Sequence, residues 1–225
     1  MALAYILLSQ LNVGRANAEY DRGHALAGGD ADADISYAEF LAIIGRTQEA
    51  LNIGKEAEAR DPLNPSAFGT EGFALIRARR FDEAIAVLRK ASALAPDRLL
   101  IRKDAAESLV FLGRTQEAVA QLRGLPPDYM FRLLIEAIIY AREGNRAASD
   151  TALQRMRQIN GDTANYQYAE IYAQRGDKDQ AFDALERAWA FRDPGVAYMN
   201  SDIWFNPIRS DPRFAALLRK MNFPA

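Results

Sequence analysis

The sequence predicts an all-α fold in which pairs of antiparallel helices stack into a right-handed superhelix. One observation is a repeated hexapeptide, Gly-Arg-Thr-Gln-Glu-Ala, which occurs at 45–50 and again at 113–118. The copies lie 68 residues apart, which is two periods of 34, and this period is the signature of a solenoid of helix–turn–helix units. The other observation is a set of small and apolar residues that recurs with the same period.

These small and apolar residues mark the packed faces of the two helices in each unit. In the clearest unit they are Gly72, Leu75, Ala84, Leu88 and Ala91. The preceding unit has Ala38, Leu41, Ala50, Gly54 and Ala57, and the following unit has Ala106, Leu109, Ala118, Leu122 and Leu125. Steps of three and four place side chains on one helical face, and small residues let two helices approach closely.

Glycine and proline punctuate the units at fixed places. Left-handed caps are expected between the paired helices at Gly45, Gly113, Gly144 and Gly176, with Arg79-Arg80 in that place in one unit. Second helices are expected to end before Pro62, Pro96, Pro126 and Pro194, because proline cannot continue a helix.

Together these features resemble the tetratricopeptide-repeat family over about residues 1–195. The C-terminal run 206–214, followed by Leu217-Leu218-Arg219-Lys220 and Pro224, resembles the ending of such modules in bacterial signalling proteins. Those proteins carry an adenylate cyclase, a winged-helix regulator or a Ser/Thr kinase upstream. The resemblance implies a non-enzymatic protein–protein interaction scaffold that acts as a regulatory or docking module.

The chain divides into three parts. Residues 1–30 are expected to form a degenerate helix pair, with helices Leu3–Leu11 and Ala16–Leu26 on either side of a turn at Gly14. Residues 31–195 hold five repeats, and residues 196–225 form a capping segment. Its last helix, Arg213–Met221, follows an N-cap at Asp211. Because the end of a solenoid has an uncovered apolar face, we expect Trp204, Phe205 and Phe214 to seal it, the alternative being that they anchor a partner.

The amino-acid composition excludes several classes of protein and of functional site. Apolar residues make up 49% of the 225 residues and charged residues 26%, which excludes a disordered chain. The net charge of −2 gives no general attraction to nucleic acid or membrane. The absence of cysteine excludes disulfides and thiolate sites.

We expect a cytoplasmic location, or an extracytoplasmic one if the module follows a membrane span. We also expect Met1 to open mid-repeat in a longer protein.

No group of residues predicts catalysis, a cofactor or a metal. The alternating carboxylates of Asp30-Ala31-Asp32-Ala33-Asp34 suggest a calcium loop, but Ile35 and Leu41 replace its turn glycine and bidentate glutamate. The preferred interpretation is a linker in which Ser36 and Glu39 form a capping box. The single histidine, His24, has no nucleophile or orienting partner in the adjacent sequence, which favours a surface or packing role.

Eight basic residues lie between Arg77 and Lys103. They are interpreted as a solvated outer face, the alternative being a site for an acidic peptide or nucleic acid. No aromatic residues alternate with them to stack on bases, so we expect no direct nucleic-acid partner.

The inner surface of the superhelix is the predicted binding site, since the resemblance places the first helix of each pair along the concave groove. The expected groove residues are Phe73, Ile76, Arg77, Lys103, Glu107, Val110, Phe111, Leu134, Ile138, Arg142, Tyr166 and Glu170. Some grooves of this family clamp a C-terminal carboxylate, but Glu107 stands where an asparagine is needed. We therefore expect an amphipathic helix or an extended apolar peptide. The alternative is that these residues pack against neighbouring helices or the chain's own tail.

Two other functions remain open. One is self-association through an exposed Trp204 or the open first unit. The other is a helical domain that senses a small molecule.

Overall fold

The computed structural model describes residues 1–221, which form thirteen α-helices, three 3-10 helices and no strand. The α-helices are α1 (Ala2–Ser9), α2 (Val13–Leu26), α3 (Ala31–Ile44), α4 (Thr47–Arg60), α5 (Pro65–Arg77), α6 (Phe81–Leu94), α7 (Leu99–Phe111), α8 (Thr115–Leu122), α9 (Met130–Arg142), α10 (Arg146–Asn160), α11 (Asn165–Arg175), α12 (Lys178–Ala190) and α13 (Pro212–Lys220). The 3-10 helices are Gly161–Ala164, Pro194–Tyr198 and Ile203–Phe205. The predicted all-α fold is confirmed.

Helices α1 to α12 pack as six successive pairs, and each pair packs on the next to give an α-α superhelix. The small residues lie where the two helices of a pair meet. Ala38, Ala84 and Ala118 are fully buried. A Cβ atom added at Gly72 on α5 would lie 2.5 Å from Cδ2 of Leu88 on α6, so this pair is too close to admit a larger residue.

The turns within the pairs have the predicted backbone conformation. Gly45, Gly113, Gly144 and Gly176 have φ values of 92°, 72°, 76° and 81°. In the α5–α6 turn Arg79 takes this place, with φ of 61°. An L-residue reaches this region at some cost, and glycine relieves that cost in the other units.

Two predicted boundaries near the N-terminus are wrong. The first turn is formed by Leu11, with φ of 58°, and by the N-cap Asn12, so that Gly14 lies inside α2. Helix α3 begins at Ala31 with Asp30 as its N-cap, and the Asp30 side chain accepts a hydrogen bond of 2.9 Å from the Ala33 amide. Ser36 lies inside α3 and does not form a capping box.

The C-terminal region does more than close the end of the solenoid. Helix α13 covers α12 as expected, and the side chain of its N-cap Asp211 accepts from the Arg213 amide at 3.0 Å. Residues 193–209, here called the return segment, instead run back inside the superhelix, where Pro194–Tyr198 contacts both α12 and α1. Pro224 and the rest of 222–225 lie outside the described residues.

Within residues 1–221 no helix has both the length and the apolar character needed to cross a lipid bilayer.

Candidate functional site

The return segment is fixed to the concave face by hydrogen bonds at two points near its middle. Asn200 Nδ2 donates to the Ile44 carbonyl at the end of α3, at 2.9 Å. Gln174 Nε2 on α11 donates to the Trp204 carbonyl at 2.5 Å. The segment therefore bridges repeats that are distant in sequence and covers part of the groove between them.

Trp204 packs the return segment against α7 and α9. Its ring lies 4.4 Å from the ring of Phe111, and the Arg142 guanidinium lies 5.4 Å above it. Arg142 also donates from Nη1 to the Val110 carbonyl at 3.1 Å, and burial lowers the pKa of its guanidinium. Trp204 is only 2% exposed, so it seals the groove interior rather than the end of the solenoid, and it offers no surface for self-association.

A cavity of about 850 Å³ remains open between the return segment and helices α3, α5, α7, α9 and α11. Seven of the twelve expected groove residues line it: Phe73, Arg77, Lys103, Glu107, Leu134, Tyr166 and Glu170. The other five do not line it. Ile76 and Ile138 are fully buried between helices. Phe111 and Arg142 pack on Trp204 of the return segment, and Val110 is buried with its carbonyl accepting from Arg142.

The two buried cations of the cavity are already paired. Arg77 Nη1 lies 3.3 Å from Asp202 Oδ1 and 3.7 Å from Glu107 Oε1. Lys103 Nζ lies 2.7 Å from Asp104 Oδ1 and 3.0 Å from Glu107 Oε2. Burial lowers the pKa of the Lys103 ammonium, but the two carboxylates outweigh burial and hold that pKa above its usual value.

Glu170 is a buried carboxyl group of the cavity that forms no ion pair within residues 1–221. It is 5% exposed, and its Oε2 atom has no hydrogen-bond partner among the described residues. The adjacent Tyr166 hydroxyl donates to Asp202 Oδ2 at 2.9 Å. Burial, and next the charge of Asp202, raise the pKa of Glu170 well above its usual value. Within residues 1–221, Glu107 Oε1 also accepts no hydrogen bond.

Carboxyl groups outnumber cations in the lining of the cavity. The acidic residues are Glu39, Asp104, Glu107, Glu170, Asp193 and Asp202, and the basic ones are Arg77, Arg98 and Lys103. Apolar and aromatic side chains, among them Leu100, Phe131 and Tyr198, complete the wall. The arrangement suits a ligand with an apolar part and a hydrogen-bonding or cationic part.

The predicted basic stripe is divided between two surfaces. Arg77 and Lys103 face the inner cavity, and their side chains are only 5% and 13% exposed. Arg80 lies outside and pairs with Glu83 at 2.6 Å. The expectation of one solvated outer face is therefore wrong for the residues at the two ends of the stripe.

The acidic run near residue 30 has structural partners. His24 Nε2 lies 2.9 Å from Asp34 Oδ1, and Arg60 pairs with the other oxygen of Asp34. The His24 ring stacks on Tyr37 with centroids 4.4 Å apart. These contacts join α2, α3 and α4.

Asp202 and Tyr198 are cavity residues that the sequence did not reveal. Both lie in the segment expected to cap the end of the solenoid. The available signal was a carboxylate directly before the apolar triplet Ile203-Trp204-Phe205, because a carboxylate buried with such a triplet requires partners. Those partners, Arg77 and Tyr166, lie 125 and 36 residues away.

Two family models of the tetratricopeptide repeat match the chain, one over residues 75–135 and the other over residues 162–188. These two stretches of the chain therefore match tetratricopeptide repeats. No curated protein matches it.

Solved structures show the same architecture at low sequence identity. The Thermus thermophilus protein TTC0263, a thermophilic tetratricopeptide-repeat protein, is 21% identical with a TM-score of 0.60, over 76% of this chain and 98% of that one. Pseudomonas aeruginosa PilF is 17% identical with a TM-score of 0.59, over 88% and 92%. A chain of the APC/C hetero-tetramer Cut9–Hcn1 is 12% identical with a TM-score of 0.64, over 97% of this chain but 48% of that one.

Proposed function

We propose that this array of tetratricopeptide repeats is a non-enzymatic docking module that receives a short extended segment of a partner protein in its concave cavity. Tetratricopeptide repeats generally form non-catalytic scaffolds for protein–protein interaction. The observation that carries this proposal is the cavity of about 850 Å³ that the return segment leaves open on the concave face.

The rim of the cavity supports peptide recognition because it presents apolar side chains to solvent. Leu100 at the start of α7 is 56% exposed, and Met130 and Phe131 at the start of α9 are partly buried. Apolar and aromatic residues at the centre of an interface contribute most of its binding energy. The packed helices hold them in place, so little conformational entropy is lost on binding.

The return segment favours an extended peptide over a helix. An α-helix with its side chains is about 10 Å across, and a helix laid along the groove would meet Trp204 where it covers Phe111. The open volume instead lies within the range of about 300–1,000 Å³ that is typical of sites for small ligands. A few residues of extended chain fit such a site.

The finer role we propose is that of a regulatory module in a bacterial signalling protein. It is supported by the resemblance of the run 206–214 to the ending of such modules.

Self-association is a second candidate, because α1 exposes Leu3, Tyr5 and Ile6 by 52%, 68% and 49%. Light scattering over a concentration series distinguishes a dimer from a monomeric binder.

Peptide selection tests the docking function directly. We expect a random linear-peptide display library to yield peptides that bind the protein and lose at least about tenfold in affinity when Leu100→Asp places a charge at the rim, an effect of about 1.4 kcal/mol. The matched control is Leu94→Asp, on the outer helix α6, where Leu94 is 41% exposed. Failure to select any peptide, or equal binding to both variants, would exclude the cavity as the docking site.

A further inference from the structure

Resting on the function proposed above, we infer that the cavity recognises a cation, namely the lysine or arginine side chain of the docked segment, and that Glu170 and Glu107 accept its hydrogen bonds. The two carboxyl groups are 5% and 1% exposed, and both line the cavity. Glu170 Oε2 and Glu107 Oε1 have no hydrogen-bond partner among the described residues. Buried polar atoms without partners are rare in folded proteins, and a ligand with N–H groups satisfies both.

The charges around the cavity disfavour an anionic ligand. Lys103 is held by Asp104 and Glu107, and Arg77 is held between Glu107 and Asp202. The third cation of the lining, Arg98, is exposed and donates to Ser66 Oγ at 2.8 Å. Over residues 1–221 one buried donor, Arg77 Nε, also makes no hydrogen bond, but the charge of that guanidinium is already balanced by the two carboxylates. A ligand carboxylate would have to compete with the carboxylates of these ion pairs. A ligand cation is instead attracted by the excess of carboxyl groups in the lining.

The aromatic side chains of the cavity suit a cation on an aliphatic stem. The cavity's own cations already stack on them, with the Arg77 guanidinium 4.5 Å from the Phe73 ring and Lys103 Nζ 5.5 Å from the Phe131 ring. Aromatic faces attract cations at such distances. The aliphatic stems of lysine and arginine pack against apolar walls while the charged head group reaches a polar group. In this cavity that polar group is the Glu170 carboxyl.

Binding of a cation is expected to displace a proton from Glu170. Burial, the charge of Asp202 and a hydrogen bond with the Asp202 carboxyl raise the pKa of Glu170, Glu107 raises it further, and Lys103 opposes them. The Tyr166 hydroxyl, which donates to Asp202, is a further titratable group at this site. A ligand cation favours the ionised carboxylate, so affinity should rise with pH until the ligand itself loses its charge.

The test compares peptide pools that differ at one position. Random linear pools with a fixed central lysine, arginine, norleucine or glutamate are passed over the immobilised protein. We expect the lysine and arginine pools to be retained at least about tenfold more than the norleucine pool, or about 1.4 kcal/mol. We expect this preference to disappear in the near-isosteric variant Glu170→Gln and to persist in Glu143→Gln, whose carboxyl lies on an exposed turn after α9.

The outcomes separate this inference from the docking function. Equal retention of all four pools, or a preference for glutamate, overturns cation recognition and leaves peptide docking intact. Retention of none overturns docking as well. If n-butylamine alone binds, with no difference among the pools, the site belongs to a free amine and the assignment to a side chain is wrong. Circular dichroism of Glu170→Gln verifies that loss of preference is not loss of folding.

Discussion

At the scale of single residues, burial of the Glu170 carboxyl does not contribute to the stability of the fold. Burying a carboxyl group without a full set of hydrogen bonds costs free energy, and no cation within the described residues pairs with Glu170. Helical spacing was enough to predict that it faces the groove. The proximity of Asp202, which adds to the cost, depends on a segment that follows no repeat and was not predictable.

The stability of the unliganded protein should therefore rise when Glu170 is neutralised. Because the folded-state pKa of Glu170 is raised, the folded state retains a proton above the ordinary carboxyl pKa. Stability is then lost as pH rises through the interval up to the folded pKa. We expect Glu170→Gln to increase the free energy of unfolding at pH 7, because the folded protein no longer holds a buried carboxyl group that resists ionisation.

Urea denaturation followed by circular dichroism between about pH 4 and pH 7 measures this effect. The increase should shrink toward zero near pH 4, where the carboxyl is protonated in the folded and unfolded states alike. Glu143→Gln should change little at any pH. An increase that is the same at all pH values would contradict a protonation origin.

At the scale of helices, local rules account for most of what the sequence predicted. The left-handed turns at Gly45 and Gly113 and the α5–α6 contact at Gly72 depend on neighbours within one unit. The first turn does not follow these local rules, because Leu11 adopts φ of 58° while Gly14 lies within a helix. Leu11 is 4% exposed, so tertiary burial of its side chain outweighed the local preference for glycine.

Two glycines of α5 offer a matched test of helix packing. Gly72→Ala should destabilise the protein by about 1–3 kcal/mol, because the new Cβ atom would lie 2.5 Å from Leu88. Gly69→Ala should stabilise it by about 0.5–1 kcal/mol through helix propensity, because no atom of the described residues outside α5 lies within 4 Å of its added Cβ. Urea denaturation of both variants gives the two values. Equal effects of the same sign would contradict the close α5–α6 contact.

At the scale of the whole molecule, the return segment distinguishes this chain from a simple solenoid. Repeat proteins are held together by contacts between neighbouring units, and the 34-residue pattern predicts only those. The return segment instead joins Asn200 to Ile44 and Asp202 to Arg77, across 156 and 125 residues. No periodicity specifies such pairs, so the sequence predicted an aromatic seal but not its location in the groove.

Removing the Trp204 ring should uncouple α11 from α3. The ring is 2% exposed and packs on Phe111, so Trp204→Ala should cost about 3–5 kcal/mol. Because the segment ties α11 to α3, hydrogen exchange followed by mass spectrometry should quicken at the C-terminal end of α3 as well as around residue 204. Trp189→Ala, at a partly buried site on α12, should quicken exchange only locally. Faster exchange confined to residues 193–209 in Trp204→Ala would mean that the segment lies on the groove without coupling the repeats that it touches.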